Sequence, residues 1–485
     1  MNTIPVSFSA IAPEIVLLSC ACALLTFAIF LPGRLARPIS ALVAIGGLAG
    51  AMVEPIAQWH DAPRGAFAGT LRIDAFGNGA RLLIFAAALL AIAIAWGMPR
   101  ISDRVVEYHA LLLAAAAGMS LLAVSNSLVI LFISLELFSL ALYVLVAIES
   151  DELPGLEGSL KYLVIGSVGA AFLLYGSALV YGATGQLEFD RIASAIRGGD
   201  AHSGVLLLGI ALIVVGLGFK SNSAPFHMWT PDAYEGAPTP VTALMSAATK
   251  TIALVVTLRV LVAAFSENSQ VWEVAIGGLA IASFLVGNLA ALRQTNVKRM
   301  LAYSTVGHTG FLFTAVAAHS ALGTRALLYY LTIYSLMNLG AFALVAIRER
   351  ELGRPVLIAD FAGYGYRRPL LAIAMVVFMF SLAGFPPTGG FIGKLSIWSA
   401  AVAAGQTYLA VAGVIATVVG LAYYLKIPFA MFDRDSAPAE PLHRPALALT
   451  SATVLATALA VLVAGIVPGP LFDLAQTASR SLIGG

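Results

Sequence analysis

The chain alternates long apolar stretches with short polar ones. Segments near the roughly 20 residues needed to cross a hydrocarbon core run at 11–31, 39–58, 76–98, 107–124, 127–149, 159–182, 204–225, 239–265, 270–292, 298–318, 324–347, 369–404, 407–431 and 446–467. They predict an all-α polytopic membrane protein of about fourteen transmembrane helices. Two segments are interrupted. The twelfth is too long for one straight helix and contains Gly384-Phe385-Pro386-Pro387-Thr388-Gly389-Gly390, which predicts two half-helices around an unwound middle. The seventh breaks near Ser221–Pro225 and leads into a short amphipathic piece, Phe226–Tyr234. Irregular backbone at membrane depth persists only where protein or water satisfies its polar groups. Both breaks are therefore expected inside the bundle.

The order of these features suggests a weak internal repeat. Helices 4–8 carry a central polar residue two spans before the first break. Helices 9–13 show the same order, with His308 in helix 10 and the break in helix 12. A unit of five helices, repeated, must be inverted in the membrane, as in many secondary transporters. The expected organisation is 1–106 for helices 1–3, 107–265 for the first five-helix repeat, 266–431 for the second, and 432–485 for helix 14.

Composition supports the membrane reading. Of 485 residues, 60% are hydrophobic and 11% charged, with a mean hydropathy of +0.93. A soluble domain carries roughly 25% charged residues, so lipids are the expected surroundings. A net charge of +2 gives no sign of a nucleic-acid partner. Cys20 and Cys22 point about 200° apart on a helix, which disfavours both a disulfide and a metal clip. The first ten residues lack Lys and Arg, so the first span is expected to be retained rather than cleaved as a signal peptide.

Loop charges orient the chain. With the N-terminus outside, Arg34, Arg37, Arg100, Arg104, Arg293, Lys298, Arg299, Arg348, Arg350, Arg354, Arg367, Arg368, Arg434 and Arg444 face the cytoplasm. Arg64, Arg72, Arg191, Arg197, Arg325 and Arg480 lie opposite. The split is 14 to 6, so the positive-inside rule places both termini on the periplasmic side. The seven remaining cations, Arg81, Lys161, Lys220, Lys250, Arg259, Lys394 and Lys426, fall within or at the edges of spans.

That excess of buried charge carries the candidate chemistry. Glu136 lies ten residues into the fifth span, where a charge costs roughly 2.5–3.5 kcal/mol and usually marks a pathway; a static ion pair is the alternative. Lys220, at the seventh-span break, supplies a cation of suitable depth. A desolvated lysine gives up its proton readily, and a nearby carboxylate opposes that loss, so the two form a tunable switch; snorkelling to the surface competes for Lys220. Lys250 lies mid-span, where snorkelling is hard. Lys394 follows the Pro-Pro break by seven residues. Residues 389–395 are not a phosphate loop, because Thr388 stands where the first glycine is needed and Leu395 where Ser or Thr must bind magnesium. His308 and His227 are relay candidates, since imidazole both accepts and donates, although a lone histidine in an apolar helix is often only a core residue. Lys161 opens the sixth span and is either a sensor of Glu136 or an ordinary interfacial lysine. Glu14, Arg81 and Arg259 read as structural or snorkelling charges. No His, Cys and Asp cluster has metal spacing, and no site for bond-breaking catalysis emerges.

Three runs carry a family resemblance. They are Phe219-Lys220-Ser221 with Ala224-Pro225-Phe226-His227-Met228-Trp229-Thr230-Pro231-Asp232-Ala233-Tyr234-Glu235-Gly236-Ala237-Pro238-Thr239-Pro240-Val241, then Lys298–His308, then Ala383–Phe391. They resemble the signatures of the antiporter-like subunits of respiratory complex I, and with the spans the likeness covers nearly the whole chain. The chain ends soon after helix 14, and its twelfth-span charge is lysine. Both features fit the subunit N branch rather than L or M. The D-type subunit of the multi-subunit Na⁺/H⁺ antiporters is the alternative. The resemblance implies that Glu136, Lys220, Lys250 and Lys394 relay protons across a bacterial inner membrane. It also implies that the chain holds no cofactor, while NADH, FMN, iron–sulfur clusters and quinone sit on partner subunits. The expected neighbours are the antiporter-like subunit M and small subunits such as K, J and A.

Overall fold

The computed structural model describes residues 7–27, 30, 33–96, 98–149, 151–199, 203–433 and 448–483; Arg434 and Arg444 of the orientation count lie outside them. Helices α1 (Ala12–Phe27) and α2 (Gly33–Ala57) lead to a hairpin of β1 (Arg64–Ala66) and β2 (Leu71–Ile73). The two strands pair antiparallel, with Arg64 opposite Ile73. Next come α3 (Ala75–Ala95), α4 (Val105–Ala123), α5 (Leu128–Val146), α6 (Leu153–Thr184) and a short α7 (Phe189–Gly198). They are followed by α8 (Ser203–Lys220), α9 (Thr230–Gly236), α10 (Thr239–Leu244), α11 (Lys250–Phe265) and α12 (Ser269–Leu292). The remainder comprises α13 (Val297–Ala317), α14 (Ala321–Leu352), α15 (Tyr364–Arg367), α16 (Pro369–Ala383), α17 (Gly389–Ala403), α18 (Thr407–Tyr424), α19 (Lys426–Phe432), α20 (Ala448–Ile466) and α21 (Gly469–Ile483).

Each of the fourteen predicted segments holds at least one of these helices. Among the described residues, eleven helical stretches are long and apolar enough to cross a membrane, with Thr239–Leu292 forming one of them. Helix α13 is outside that set. It is rich in polar residues, yet all of it except Arg299 and Tyr303 is buried.

Several boundaries differ from the sequence expectation for local reasons. Helix α6 starts at Leu153, not near 159, because Pro154 in the first turn is compatible with a helix start. Helix α14 runs past Arg348 and Arg350 to Leu352 and stops at Gly353, whose φ of +70° suits glycine. Helix α8 ends at Lys220 rather than near Pro225, and the short helix that follows is Thr230–Gly236 rather than 226–234. Helices α16 and α17 are the expected half-helices, and Gly384, at φ +89°, ends the first.

Helix α14 is the hub of the second half. It packs against α13, α16, α17, α20 and α21, and most of its residues are buried. Two buried ion pairs fix the first half. Arg81 Nη2 donates to Glu14 Oε1 at 2.8 Å, joining α3 to α1. Arg259 clasps Asp74 with bonds of 2.9 and 2.7 Å, and Asp74 also caps α3 by accepting from Gly77 N. Glu14, Arg81 and Arg259 are therefore structural charges.

The two ends of the bundle differ in kind. At one end the hairpin, the start of α1 and α21 come together, with Arg72 donating to Ser481 O and Arg64 to Ser9 Oγ. Ser479 of α21 donates to Ala321 O there, at the α13–α14 turn. The opposite end of α13 carries Lys298 and Arg299. Arg299 bonds Asp232 and Glu235, and Lys298 lies 3.6 Å from Glu349.

Candidate functional site

Lys220 is the last residue of α8 and is 8% exposed. Its Nζ donates to Ser139 Oγ at 2.7 Å and to Tyr162 OH at 3.2 Å, and it lies 4.3 Å from the Phe138 ring centroid. Glu136 is on the same helix as Ser139, one turn earlier. No ion pair joins Glu136 to Lys220 among the described residues. Instead, Glu136 Oε1 is buried without a hydrogen-bond partner. The expected contact pair is thus resolved into two neighbours, with Ser139 holding the ammonium.

Lys250 opens α11 immediately after a wide π-type turn, Met245–Thr249, that joins it to α10. Such single π-type turns inside α-helices are frequent at functional sites. The side chain is 2% exposed, and its Nζ donates to Ser221 O at 2.7 Å and to Thr309 Oγ1 of α13. Ser221 follows the end of α8, so its carbonyl has no further turn of helix to satisfy it. Lys250 thereby fills the first break. The hydroxyl at its side comes from α13, since Thr249 is turned to Met245 O and Thr251 to Ser335.

Lys394 fills the second break in the same way. Its Nζ donates to Leu382 O at 2.8 Å and Ala383 O at 3.2 Å, the carbonyls freed where α16 stops. The amine also lies 4.5 Å from the Phe311 ring centroid. Gly393 lets α17 pack closely on α14, because a Cβ there would stand 2.3 Å from Tyr330 Cδ2.

His308 lies between the two lysines. Tyr330 OH bonds its Nδ1 at 2.7 Å and Tyr424 OH bonds its Nε2 at 2.8 Å. A neutral imidazole has one N–H and one bare nitrogen, so one tyrosine accepts while the other donates. Ser304 hydrogen-bonds Tyr424 in turn, and Tyr334 OH donates to Thr305 Oγ1. Ser304, Thr305, His308 and Thr309 form a polar stripe on α13 at helical spacing. The order in space is Lys220, the Ser221 carbonyl, Lys250 with Thr309, His308 with its two tyrosines, and then Lys394 behind Phe311.

The other two candidates stand aside from this line. His227 lies beyond the first break, with its ring 6.3 Å from that of Tyr303 and its Nδ1 buried without a hydrogen-bond partner. Lys161 meets Glu157 and Asp232, each at 2.6 Å, rather than Glu136. Partial burial alone would raise the Asp232 pKa. Hydrogen bonds from Lys161 and Arg299 outweigh it and hold the carboxyl below its ordinary 3.8. Sequence reasoning missed Ser139, Tyr162, Thr309, Tyr330 and Tyr424. The hydroxyls at 304, 305 and 309 around His308 were the one available signal.

Comparison with known proteins gives a consistent result. The family described as NADH:quinone oxidoreductase/Mrp antiporter, TM, matches residues 125–420. The NADH-quinone oxidoreductase subunit N of Parvibaculum lavamentivorans is 40% identical over 488 residues, covering 100% of this chain and 99% of that one. A chain of respiratory complex I from Thermus thermophilus superposes with a TM-score of 0.81 at 34% identity, covering 96% of this chain and 99% of that one. A chain of the Mrp complex from Dietzia sp. superposes at 0.85 with 22% identity, covering 97% and 98%, and shares the fold. The chain is a multi-pass membrane protein and belongs to the NADH-quinone oxidoreductase subunit N family.

Proposed function

We propose that this chain is a proton-translocating membrane-arm subunit of an NADH:quinone oxidoreductase, and that protons move along Lys220, Lys250, His308 and Lys394 with Glu136 biasing the first step. One observation carries this reading: at both helix breaks a buried lysine holds the carbonyls that the break frees, with a tyrosine-clamped histidine between them. A lysine held by neutral carbonyls and hydroxyls is costly to keep charged in a dry interior. A charge arriving nearby changes whether it keeps its proton, which is what coupling to a distant redox reaction requires. NADH, FMN, iron–sulfur clusters and quinone belong to partner subunits in this reading, since the polar groups here serve proton transfer. Both termini face the periplasm of a bacterial inner membrane, with the Lys298–Arg299 end in the cytoplasm. Subunit M and small subunits of the K, J and A type are the neighbours. Residues 107–265 and 266–431 act as two inverted units, each with a break and a lysine that fills it.

The alternative is a D-type subunit of a Na⁺/H⁺ antiporter, which would use the same line. Identity of 40% to a subunit N against 22% to the Mrp chain favours the oxidoreductase. The test is Lys250→Met, Lys220→Ala and Glu136→Gln in assembled enzyme, read as NADH-driven proton accumulation in inverted membrane vesicles. Loss of proton accumulation, normalised to NADH oxidation with an artificial acceptor, supports the relay. Normal accumulation in assembled variants refutes it. Sodium-dependent exchange without NADH would point to the antiporter.

A further inference from the structure

Where α13, α14, α17 and α18 meet the start of α12, an open pocket of about 360 Å³ is lined by Glu273, His319, Ser320, Ala403, Ala404 and Gln406. It adjoins the α13–α14 turn, where α21 docks through Ser479, so it opens at the end of the bundle opposite Lys298 and Arg299. The Glu273 carboxylate and the His319 ring nitrogen are 3.0 Å apart, and each side chain is 25% exposed. An imidazole bonded to a carboxylate can accept a proton at one ring nitrogen and donate from the other.

The wall between this pocket and Lys394 is also informative. Ala403 lies nine residues beyond Lys394 on α17, about 14 Å along the helix. Trp398, one turn beyond Lys394, has its Nε1 buried without a hydrogen-bond partner. That atom lies beside Gly413 and close to Phe311, whose ring faces the Lys394 amine. Gln406, on the pocket wall, donates from Nε2 to Ala317 O, while its buried Oε1 has no partner. A buried polar atom left unpaired costs about 1–3 kcal/mol, and a bridging water relieves that cost. The two such atoms stand at successive depths between Lys394 and the pocket.

We propose that this pocket is the outward proton outlet of the chain, with Glu273 and His319 as the groups that pass protons from Lys394 to the outer aqueous phase. The Lys394 ammonium gives a proton to water held at Trp398 and Gln406 and becomes a neutral amine. The Glu273–His319 pair takes that proton, releases it to bulk water and returns to its starting charge. This inference rests on Lys394 being a proton carrier. A purely structural role would be limited to the Glu273–His319 bond that pins the start of α12 to the α13–α14 turn.

The deciding variant is Glu273→Gln, which keeps an acceptor oxygen for His319 but cannot ionise. It is made in the full complex, alone and with His319→Asn. NADH-driven proton accumulation, counted per assembled complex by artificial-acceptor activity, is expected to fall to about half or less and to recover in Glu273→Asp. Lys394→Ala is measured in parallel. Normal accumulation in Lys394→Ala defeats the parent reading and this proposal together. Impaired accumulation in Lys394→Ala with normal accumulation in Glu273→Gln/His319→Asn defeats the outlet alone. Ala404→Cys, in a background with Cys20→Ser and Cys22→Ser, gives an independent readout. A membrane-impermeant maleimide added to the periplasmic face of the intact complex is expected to label it and lower proton accumulation. Labelling only from the cytoplasmic face, or none, overturns the outlet.

Discussion

The tyrosine clamp on His308 gives the sharpest test of a relay against mere packing. Tyr330→Phe and Tyr424→Phe each remove one hydroxyl and leave the ring in place. The bonds lost are those at 2.7 Å to Nδ1 and 2.8 Å to Nε2. Leaving one buried imidazole nitrogen unpaired costs about 1–3 kcal/mol. If that cost falls on the proton-transfer barrier, transfer slows by roughly 5- to 150-fold, since about 1.4 kcal/mol is a factor of ten. In a relay the two bonds act in series through one ring. Cutting either stops the same path, so the double variant is expected to pump no worse than the weaker single one. A packing role predicts the opposite, with two separate losses that add. The assay is the initial rate of NADH-driven proton accumulation in inverted vesicles, per assembled complex, for wild type, both singles and the double. Additive losses, or normal pumping in either single, would refute the series relay through His308.

The remaining expectations concern structure as well as transport. Asp74→Ala leaves the Arg259 guanidinium buried without its carboxylate and is expected to cost about 3–5 kcal/mol, seen as a lower yield and thermal stability of the complex. Adding Arg259→Met should recover most of that loss, though not the α3 cap, which is worth about 1 kcal/mol. Gly393→Ala forces a methyl against Tyr330 and should cost about 1–3 kcal/mol, with proton accumulation falling in the assembled complex because the Tyr330 ring carries the bond to His308. The lowered pKa of Asp232 means that its bonds to Lys161 and Arg299 stabilise the fold fully above about pH 3.8 and are lost only as pH falls below that. Asp232→Asn should therefore weaken the complex at neutral pH by about 1 kcal/mol or less, given the exposure of its partners, and leave stability nearly flat between pH 7 and 5 in thermal melts.

The sequence by itself determined the membrane class, the helical segments, the two breaks and the depth of the four lysine and glutamate candidates. These follow from local physics. A run of some 20 apolar residues has few other stable homes, and Gly-Phe-Pro-Pro or Ser-Ala-Pro interrupts a helix wherever it sits. Family membership was legible for the same reason, because its signatures cluster at those breaks. Only the tertiary structure decided who holds whom. Ser139 rather than Glu136 meets Lys220 because of where the end of α8 falls along α5 once both pack on α6, which no hydropathy pattern records. Tyr330 and Tyr424 lie 22 and 116 residues from His308 and read in sequence as ordinary aromatic residues of apolar spans. Glu273 and His319, 46 residues apart, become a pair only once α12 packs along α13. Spacing along one helix fixes which of its own residues share a face. Which face meets which neighbour is set by packing across the whole bundle, and in this protein that packing set Lys250 and Lys394 on the carbonyls of the two breaks and His308 between two tyrosines.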